Sequence, residues 1–519
     1  MAPYLTITMT SSSLLRLPTD ILILILHQLL LVEDLSALSK TSRFFYALVN
    51  EFGWAGYQRN NPRPSMCLAK SRAAWTAKDS VKYDVLADKF WSQFEFIARP
   101  LAPPWTGKEQ PILAINPSRL VVAAGTSIYS YTFGISSKDE APPIVLEGSC
   151  SLTAHRDRRS YITALTFIPD GGLDQTLCVG FQDGTFERIL LAGRSKRQAN
   201  AATLRVHRSA VQPLHLPNKD LLESLSSSRN MLLSLSASGR ATLADIDTPP
   251  SPSSSSSVDL GTRSWVSHLV MQSTSPYAAF GTSSATPLTI HSITNDRLTP
   301  LPSAILGQAE SVRMGSAVYG ICQGPPSSLW GSSPEVVVSG WYNGTVSIHD
   351  LRSSSRGCAS DSSSPAPLRP VLTLVNSWSV EPIYSVSSGG GGGSYIAAGW
   401  ARHSLVSLWD VRSPAGGFSV HAPGNDPSPV YSLILESSRL FGVTQTRPFV
   451  LDFVRAPSTT PTLINSYSDS QGPGITANTY PDLGFSSRGF THFNQKGADG
   501  FGYYVTTYLH RSSRTYIDS

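Results

Sequence analysis

The sequence predicts an all-β, seven-bladed propeller preceded by a small N-terminal all-α domain. Two stretches carry nearly the same pattern: VVVSGWYNGTVSIHDLR at residues 336–352 and IAAGWARHSLVSLWDVR at residues 396–412. Each contains a short apolar strand, Gly-Trp, a polar turn, an alternating strand, and Asp followed by an aliphatic residue and Arg. Repeated strand-turn-strand content of this kind is typical of propeller blades rather than of helical solenoids.

A second marker predicts where each blade begins. It consists of two apolar residues separated by two others, and it would form the start of the innermost strand. Its copies are spaced by roughly 47 to 65 residues, which fits a four-stranded blade with lengthened loops. The predicted starts are Ile112, Ile162, Val211, Val266, Val318, Ile383 and Val430.

Some blade residues match a known repeat. Trp409-Asp410, and more weakly His349-Asp350, resembles the dipeptide that ends the third strand of a WD40 blade. His155 and His207 precede two blade starts, and Asp183-Gly184 marks a tight turn. In WD40 blades such a His, a turn Asp and the third-strand Trp form a buried hydrogen-bond network, although no single blade here has all three. The chain thus resembles a WD40-type β-propeller over residues 111–467.

The sequence pattern of residues 14–54 predicts a small helical domain. Residues 1–13 before it are Ser/Thr-rich and are expected to be disordered. Pro18 is placed where a first helical turn tolerates proline. Apolar residues then recur at helical spacing, a second helix begins at Glu33-Asp34, and a third covers residues 43–49. Three short helices leave apolar surface in excess, which requires a partner. An ordinary helical subdomain packed on the propeller, or the apolar core of a signal peptide, is the alternative interpretation.

This segment also resembles the F-box. Leu17-Pro18, the apolar helical ladder, Asp34-Leu35 and Ser42-Arg43-Phe44 match that motif. The whole chain therefore resembles F-box/WD40 proteins, most of all their dactylin-type branch. The resemblance implies that the F-box binds a Skp-type adaptor and, through it, a cullin and a RING protein. The adaptor contacts it implies are Leu17, Pro18, Ile21, Leu22, Ile25, Leu26, Leu29 and Leu35.

Other segments predict connections. Residues 55–110 are expected to form a linker, first helical and then Pro-rich, that fixes the F-box relative to the propeller. Mobile loops are expected at residues 251–257, 353–367 and 389–393 because their compositions cannot bury apolar surface. Residues 468–519 form a Gly/Ser-rich tail after one further strand near residues 462–466. The aromatic stretch 500–508 in this tail either adds a strand or closes the ring.

Composition limits the compartment and the partners. The net charge of +5 is small and scattered, so we expect no nucleic-acid partner. Five widely spaced cysteines without a CxxC pair favour a reducing compartment and predict no metal site. The apolar run at residues 21–32 is too short to span a bilayer, and no small-residue cleavage site follows it, so we expect no membrane contact. These features favour a cytoplasmic or nuclear protein.

We expect no enzyme, no catalytic residues and no cofactor, because no catalytic motif is present. The resemblance implies a substrate-recognition subunit of an SCF-type cullin-RING ubiquitin ligase, whose propeller binds protein substrates for ubiquitin-dependent degradation. A WD40 scaffold without ligase activity is the alternative. If the substrate is phosphorylated, Arg313 and Arg402 are candidate contacts, because guanidinium groups fit phosphate oxygens; both also fit a solvated surface. The chain has no lysine between Lys219 and Lys496, which fits either a surface without ubiquitin acceptors or a codon bias.

Overall fold

The computed structural model of the chain describes residues 14–107, 109–136, 140–152, 161–192, 203–209, 220–247, 255–308, 317–326, 332–353, 367–423, 427–454 and 507–511. Helices come first, and a ring of antiparallel sheets follows. This architecture confirms the predicted propeller with an N-terminal helical region.

The F-box region consists of short helices around one core. After a 3-10 turn at Leu14–Arg16, the helices are α1 (Thr19–Gln28), α2 (Val32–Ser39), α3 (Arg43–Leu48), a π-helical turn (Val49–Gly53) and α4 (Trp54–Asn60). Ser42 caps α3 because its hydroxyl accepts a hydrogen bond from the Phe45 amide at 3.2 Å. The buried core consists of Leu22, Leu26, Leu35, Phe45, Leu48, Val49, Trp54 and Val81.

The predicted linker helix is divided in two. Helix α5 (Ala69–Ala74) ends at Trp75, and α6 (Ala77–Gln93) begins after Thr76. The Thr76 side chain accepts from the Asp79 amide at 3.2 Å, so this residue is an N-cap that interrupts the helical pattern.

The described strands form seven sheets, one for each blade. Within each sheet the strands are given below from the innermost to the outermost. The blades, in chain order, are Ile112–Ile115, Arg119–Ala124, Ser127–Phe133 and Ile144–Ser151; Ile162–Phe167, Thr176–Phe181, Phe186–Leu191 and Val206–Ser209; Leu222–Ser228, Met231–Ser236, Arg240–Asp245 and Ser255–Asp259; Ser264–Val270, Tyr277–Thr282, Leu288–Thr294 and, at the outer edge, Arg297–Leu298 with Ala304–Leu306; Val318–Gln323, Val336–Trp341, Thr345–Asp350 and Leu372–Val375; Ile383–Gly389, Tyr395–Trp400, Leu405–Asp410 and Gly416–His421; Val430–Leu435, Arg439–Thr444, Pro448–Asp452 and Ile97–Pro100.

The second strand of every blade is buried along its whole length, because both faces of each sheet pack on neighbouring blades. Between blades five and six, for example, Trp400 and Trp409 are both fully buried in one apolar cluster. Such clusters between blades hold the ring together.

The ring is closed by a strand from the segment assigned to the linker. Ile97–Pro100 forms the outer strand of blade seven, antiparallel to Pro448–Asp452, with Ile97 opposite Asp452. Arg99 reinforces the pairing, since its Nε lies 2.9 Å from the Asp452 carboxylate. The last blade therefore combines strands from both ends of the propeller.

The tail adds a strand without closing the ring. Thr507–Arg511 pairs with Gly416–His421 as a fifth strand at the edge of blade six. His510 is buried there, and its ring packs edge-on against Trp409 with centroids 5.2 Å apart. The strand expected near residues 462–466 lies outside the described residues.

Three local expectations change. The third blade begins at Leu222, while the start expected at Val211 lies outside the described residues. Residues 389–393, expected to be mobile, form a turn packed on Trp91, with the Gly391 amide 2.7 Å from the Ser437 carbonyl oxygen. Part of the loop expected at residues 251–257 is the outer strand Ser255–Asp259, and nearly all of residues 353–367 are outside the described part.

None of the helices that the structure describes is long and apolar enough to cross a membrane. Within the same ranges, no three His, Cys, Asp or Glu side chains are grouped so that they could hold a metal ion.

Candidate functional site

The F-box region exposes an unusual density of large apolar side chains. Each of them leaves between 38% and 69% of its surface in water. Isolated exposed apolar residues are ordinary, but a cluster on one small domain indicates a binding surface. We call this set the F-box apolar face; it consists of Leu14, Leu17, Ile21, Leu24, Ile25, Leu30, Leu31, Phe44 and Tyr46.

The structure divides the sequence-predicted adaptor contacts into two groups. Leu17, Pro18, Ile21 and Ile25 are exposed, and Leu29 is half-buried. The other three belong to the core rather than to the surface, because they lie on the inner side of the same helices: Leu22, Leu26 and Leu35 are at most 3% exposed. They hold α1 and α2 in place and present no surface to a partner.

Residues that the motif did not include belong to the face. Leu24 exposes 59% of its surface, and Leu30 and Leu31 expose 69% and 58%. A helical projection of residues 19–28 would have separated Leu24 and Ile25 from Leu22 and Leu26, since the helix turns once every 3.6 residues.

Helix α6 connects the F-box region to the propeller. Val81, in its first half, is part of the F-box core. Two residues of the same helix contact blade seven. The Tyr83 hydroxyl lies 2.9 Å from Ser438 Oγ, and the Trp91 indole donates to the Ser437 carbonyl oxygen at 2.9 Å. Trp91 also stacks on Phe453, with ring centroids 3.5 Å apart.

Ion pairs brace the same junction. Arg63 donates to both Asp88 oxygens, at 2.7 and 2.6 Å, and Arg72 donates to Asp84 at 2.7 Å. Burial raises the pKa of Asp84, and the guanidinium groups of Arg72 and Arg63 only partly oppose that shift. These bidentate and partly buried pairs are of the kind that fixes geometry as well as adding stability.

The buried Glu436 of blade seven binds the linker segment through hydrogen bonds. The Ser65 hydroxyl and the Cys67 amide donate to the Glu436 carboxylate at 2.6 and 3.1 Å. Burial raises the pKa of Glu436, although these hydrogen bonds oppose it. In the same blade, Asp452 lies between Arg439 and Arg99. Burial alone would raise the pKa of Asp452, but the two guanidinium groups outweigh burial and lower that pKa.

These contacts define two faces of the propeller. The connections between first and second strands, such as residues 436–438 and 389–393, contact α6, and we call their side the linker face. Inner strands begin on the opposite side, where second and third strands are also connected. We call this side the distal face; it carries the turns of Asn343 and Arg402.

The two arginines proposed for phosphate binding have different outcomes. Arg402 is 68% exposed on the distal face, and its Nη1 lies 3.5 Å from a carboxylate oxygen of Glu381. Arg313 lies outside the described residues. Joint phosphate binding by these two arginines therefore stays a prediction.

A β-bulge recurs at the start of the inner strands, on the distal face. Six of the inner strands contain a β-bulge after their first residue, so that one extra residue is inserted at the mouth of the channel. Bulges redirect side chains. The inserted residues are Thr163, Glu223, Trp265, Tyr319, Tyr384 and Tyr431.

In blades four to seven the inserted residues form a continuous series of rings. Centroids are 5.0 Å apart for Trp265 and Tyr319, 5.3 Å for Tyr319 and Tyr384, and 5.9 Å for Tyr384 and Tyr431. All four side chains are half-buried. We call Trp265, Tyr319, Tyr384 and Tyr431 the aromatic arc.

Three blade markers contain a residue of this arc: Tyr319, Tyr384 and Tyr431 are each the second residue of a marker. Trp265 directly precedes the fourth marker, which starts at Val266. A strand alternation predicts where such a residue points only if the strand is regular, and the bulge breaks the alternation.

Comparisons with known proteins agree with this architecture. Residues 14–55 match the F-box-like family model. The chain thus carries an F-box-like domain followed by a seven-bladed β-propeller, which is consistent with an F-box/WD40 protein. This combination indicates an F-box substrate-recognition protein, and F-box domains generally bind Skp-type adaptors.

Similar solved structures include the computationally designed Ika8 protein, with 14% identity and a TM-score of 0.40, over 68% of this chain and 98% of that one. Another is Chaetomium thermophilum Sqt1 bound to the N-terminus of ribosomal protein L10, with 11% identity and a TM-score of 0.41, over 66% of this chain and 83% of that one. No curated protein matches the chain.

Proposed function

We propose that the chain is the substrate-recognition subunit of an SCF-type cullin-RING ubiquitin ligase. Its F-box apolar face binds a Skp-type adaptor, which links it to the cullin and the RING protein. The propeller binds a protein that is then ubiquitinated and degraded. The observation that carries this proposal is the F-box apolar face within residues 14–55, which match the F-box-like model.

The geometry supports a division of labour between the two ends. The adaptor surface lies on the helical region, and α6 fixes that region against the linker face through Tyr83 and Trp91. The distal face is left for the substrate. A rigid connection of this kind holds the substrate at a set distance from the ubiquitin-conjugating enzyme, and such positioning lowers the entropic part of the barrier.

In this proposal the chain contributes no catalytic group. Transfer chemistry belongs to the partner enzyme, and the chain acts by proximity in the cytoplasm, the nucleus or both. The narrower resemblance to the dactylin-type branch stays a prediction.

The decisive experiment is reconstitution with purified adaptor. Full-length chain immobilised through its C-terminus should retain the Skp-type adaptor, and the adaptor should in turn retain cullin and RING protein. A scaffold without ligase activity would retain none of them. Absence of adaptor binding by the folded wild-type chain would refute the proposal.

A further inference from the structure

The aromatic arc has features that a structural role alone does not require. Its four rings occupy bulge positions, which direct them to the channel mouth rather than into the cores between blades. They remain half-buried, so part of each ring is open to solvent. Tyr342, which is 50% exposed, extends the series outward, with its ring centroid 6.3 Å from that of Tyr319.

One end of the arc already binds a cation from the chain itself. The guanidinium carbon of Arg263 lies 4.1 Å from the centroid of the Trp265 ring. Aromatic faces attract guanidinium and ammonium groups because the ring quadrupole is negative above its plane. The other rings of the arc have the same chemistry on the parts that they leave open to solvent.

Charges beside the arc are paired, so they leave the choice of ligand to the aromatic rings. Among the described residues, Arg263 is paired with Glu223 at 2.9 Å, and Arg402 is paired with Glu381 at 3.5 Å. A phosphate would have to displace these carboxylates from the guanidinium groups and would meet their repulsion. A basic side chain would meet the repulsion of the guanidinium groups in the same way, so the preference for a cation comes from the negative faces of the rings.

The shape of the arc selects the size of the ligand. The rings follow consecutive blades around the channel, so their series curves over more than half of the ring of seven. An extended helix or strand would contact only one part of such a curve. A long side chain that enters the mouth can contact several rings at once.

We propose that the aromatic arc is the substrate-binding surface of the propeller and that it receives arginine or lysine side chains from a basic segment of the substrate. This inference rests on the proposed receptor function for the statement that the bound molecule is a substrate. The arc and the F-box apolar face are on different parts of the molecule, so each binding reaction can fail alone.

The test uses the full-length chain and a capped nine-residue glycine-serine peptide that carries two arginines. Isothermal titration calorimetry compares it with peptides of the same length that carry two glutamines, two phosphoserines or two prolines. The arginine peptide should bind most tightly to the wild-type chain. Preference for the phosphoserine or proline peptide, or no preference, would overturn the proposal without any variant.

Matched variants separate the ring faces from simple volume. The double variant Tyr319→Leu, Tyr384→Leu removes two π faces and should weaken arginine-peptide binding at least about tenfold, whereas Tyr319→Phe, Tyr384→Phe keeps them and should stay within about twofold. Equal binding by the Leu and Phe variants would contradict the cation–π basis.

The same samples are tested for adaptor binding. The Leu variant should bind the adaptor as the wild type does, and an unchanged melting temperature should show that its propeller is folded. If the wild type binds the arginine peptide but not the adaptor, the receptor function fails while the arc remains a basic-ligand site. If it binds the adaptor but not the peptide, the arc proposal alone fails.

Discussion

Substituting Ile25 by aspartate tests the F-box apolar face. Ile25 leaves 38% of its surface in water. Fully burying an isoleucine contributes about 1.5–3 kcal/mol, so covering this remaining part contributes about 0.6–1.1 kcal/mol to adaptor binding. An aspartate must in addition be desolvated against an apolar partner, which costs at least about 2 kcal/mol. Together these terms weaken binding on the order of a hundredfold.

The assay is surface plasmon resonance of purified Skp-type adaptor on the immobilised full-length chain. Ile25→Asp should bind the adaptor about a hundredfold more weakly than the wild type. Its circular dichroism and melting temperature should stay close to those of the wild type, because the residue is exposed. Val85→Asp is the matched control: Val85 is 41% exposed but lies on α6, outside residues 14–55, so this variant should bind normally. Wild-type affinity of Ile25→Asp, or equal losses in both variants, would refute the reasoning.

Other consequences are open to measurement. Trp91→Ala should lower the free energy of unfolding by about 3–5 kcal/mol in urea denaturation, since it removes a fully buried side chain, and Trp91→Phe should lower it less; a loss under 1 kcal/mol in Trp91→Ala would mean that α6 is not anchored there. His349 is buried, and burial lowers its pKa to about 4 from 6.5, so the unfolded chain binds more protons between these values and stability should fall as the pH drops from 6.5 to 4. His349→Gln should reduce this pH dependence between pH 7 and 5, and an unchanged slope would assign it to other groups. Lysines installed at the exposed Arg352 and Arg412 should shorten the half-life of the chain in cells with an active ligase, because they supply acceptor amines; unchanged turnover would leave codon bias as the explanation for the missing lysines.

Repetition made most of the ring predictable. The stretch around Val336–Trp341 recurs around Tyr395–Trp400 because the second strand of every blade is buried between neighbouring blades. Six of the seven inner-strand markers fall on observed inner strands. The closing strand Ile97–Pro100 has no such marker. It pairs with Pro448–Asp452, and local sequence carries no signal for a partner more than three hundred residues away.

The two candidate surfaces were predictable to different degrees. The motif identified α1 correctly as an element of the F-box region but grouped Ile25 with Leu26. A helical projection separates the two by about 100°, and the packing of the F-box core shows that Leu26 is the buried one. The aromatic arc was hidden by the bulge at Tyr384 and its equivalents, where one inserted residue changes the direction of the side chain.

Ring closure by Ile97–Pro100 also has a consequence for synthesis. Arg99 and its partner Asp452 are separated by 353 positions. At about 5–20 residues per second, the ribosome needs roughly 20 to 70 s to produce the second after the first. During that interval one edge of the unfinished ring has no matching strand, and open edges are the places where nascent chains pair with the wrong neighbour. The unfinished ring is therefore exposed to wrong strand pairing for much of its synthesis. We expect chaperones that shield strand edges to bind the nascent chain during this interval.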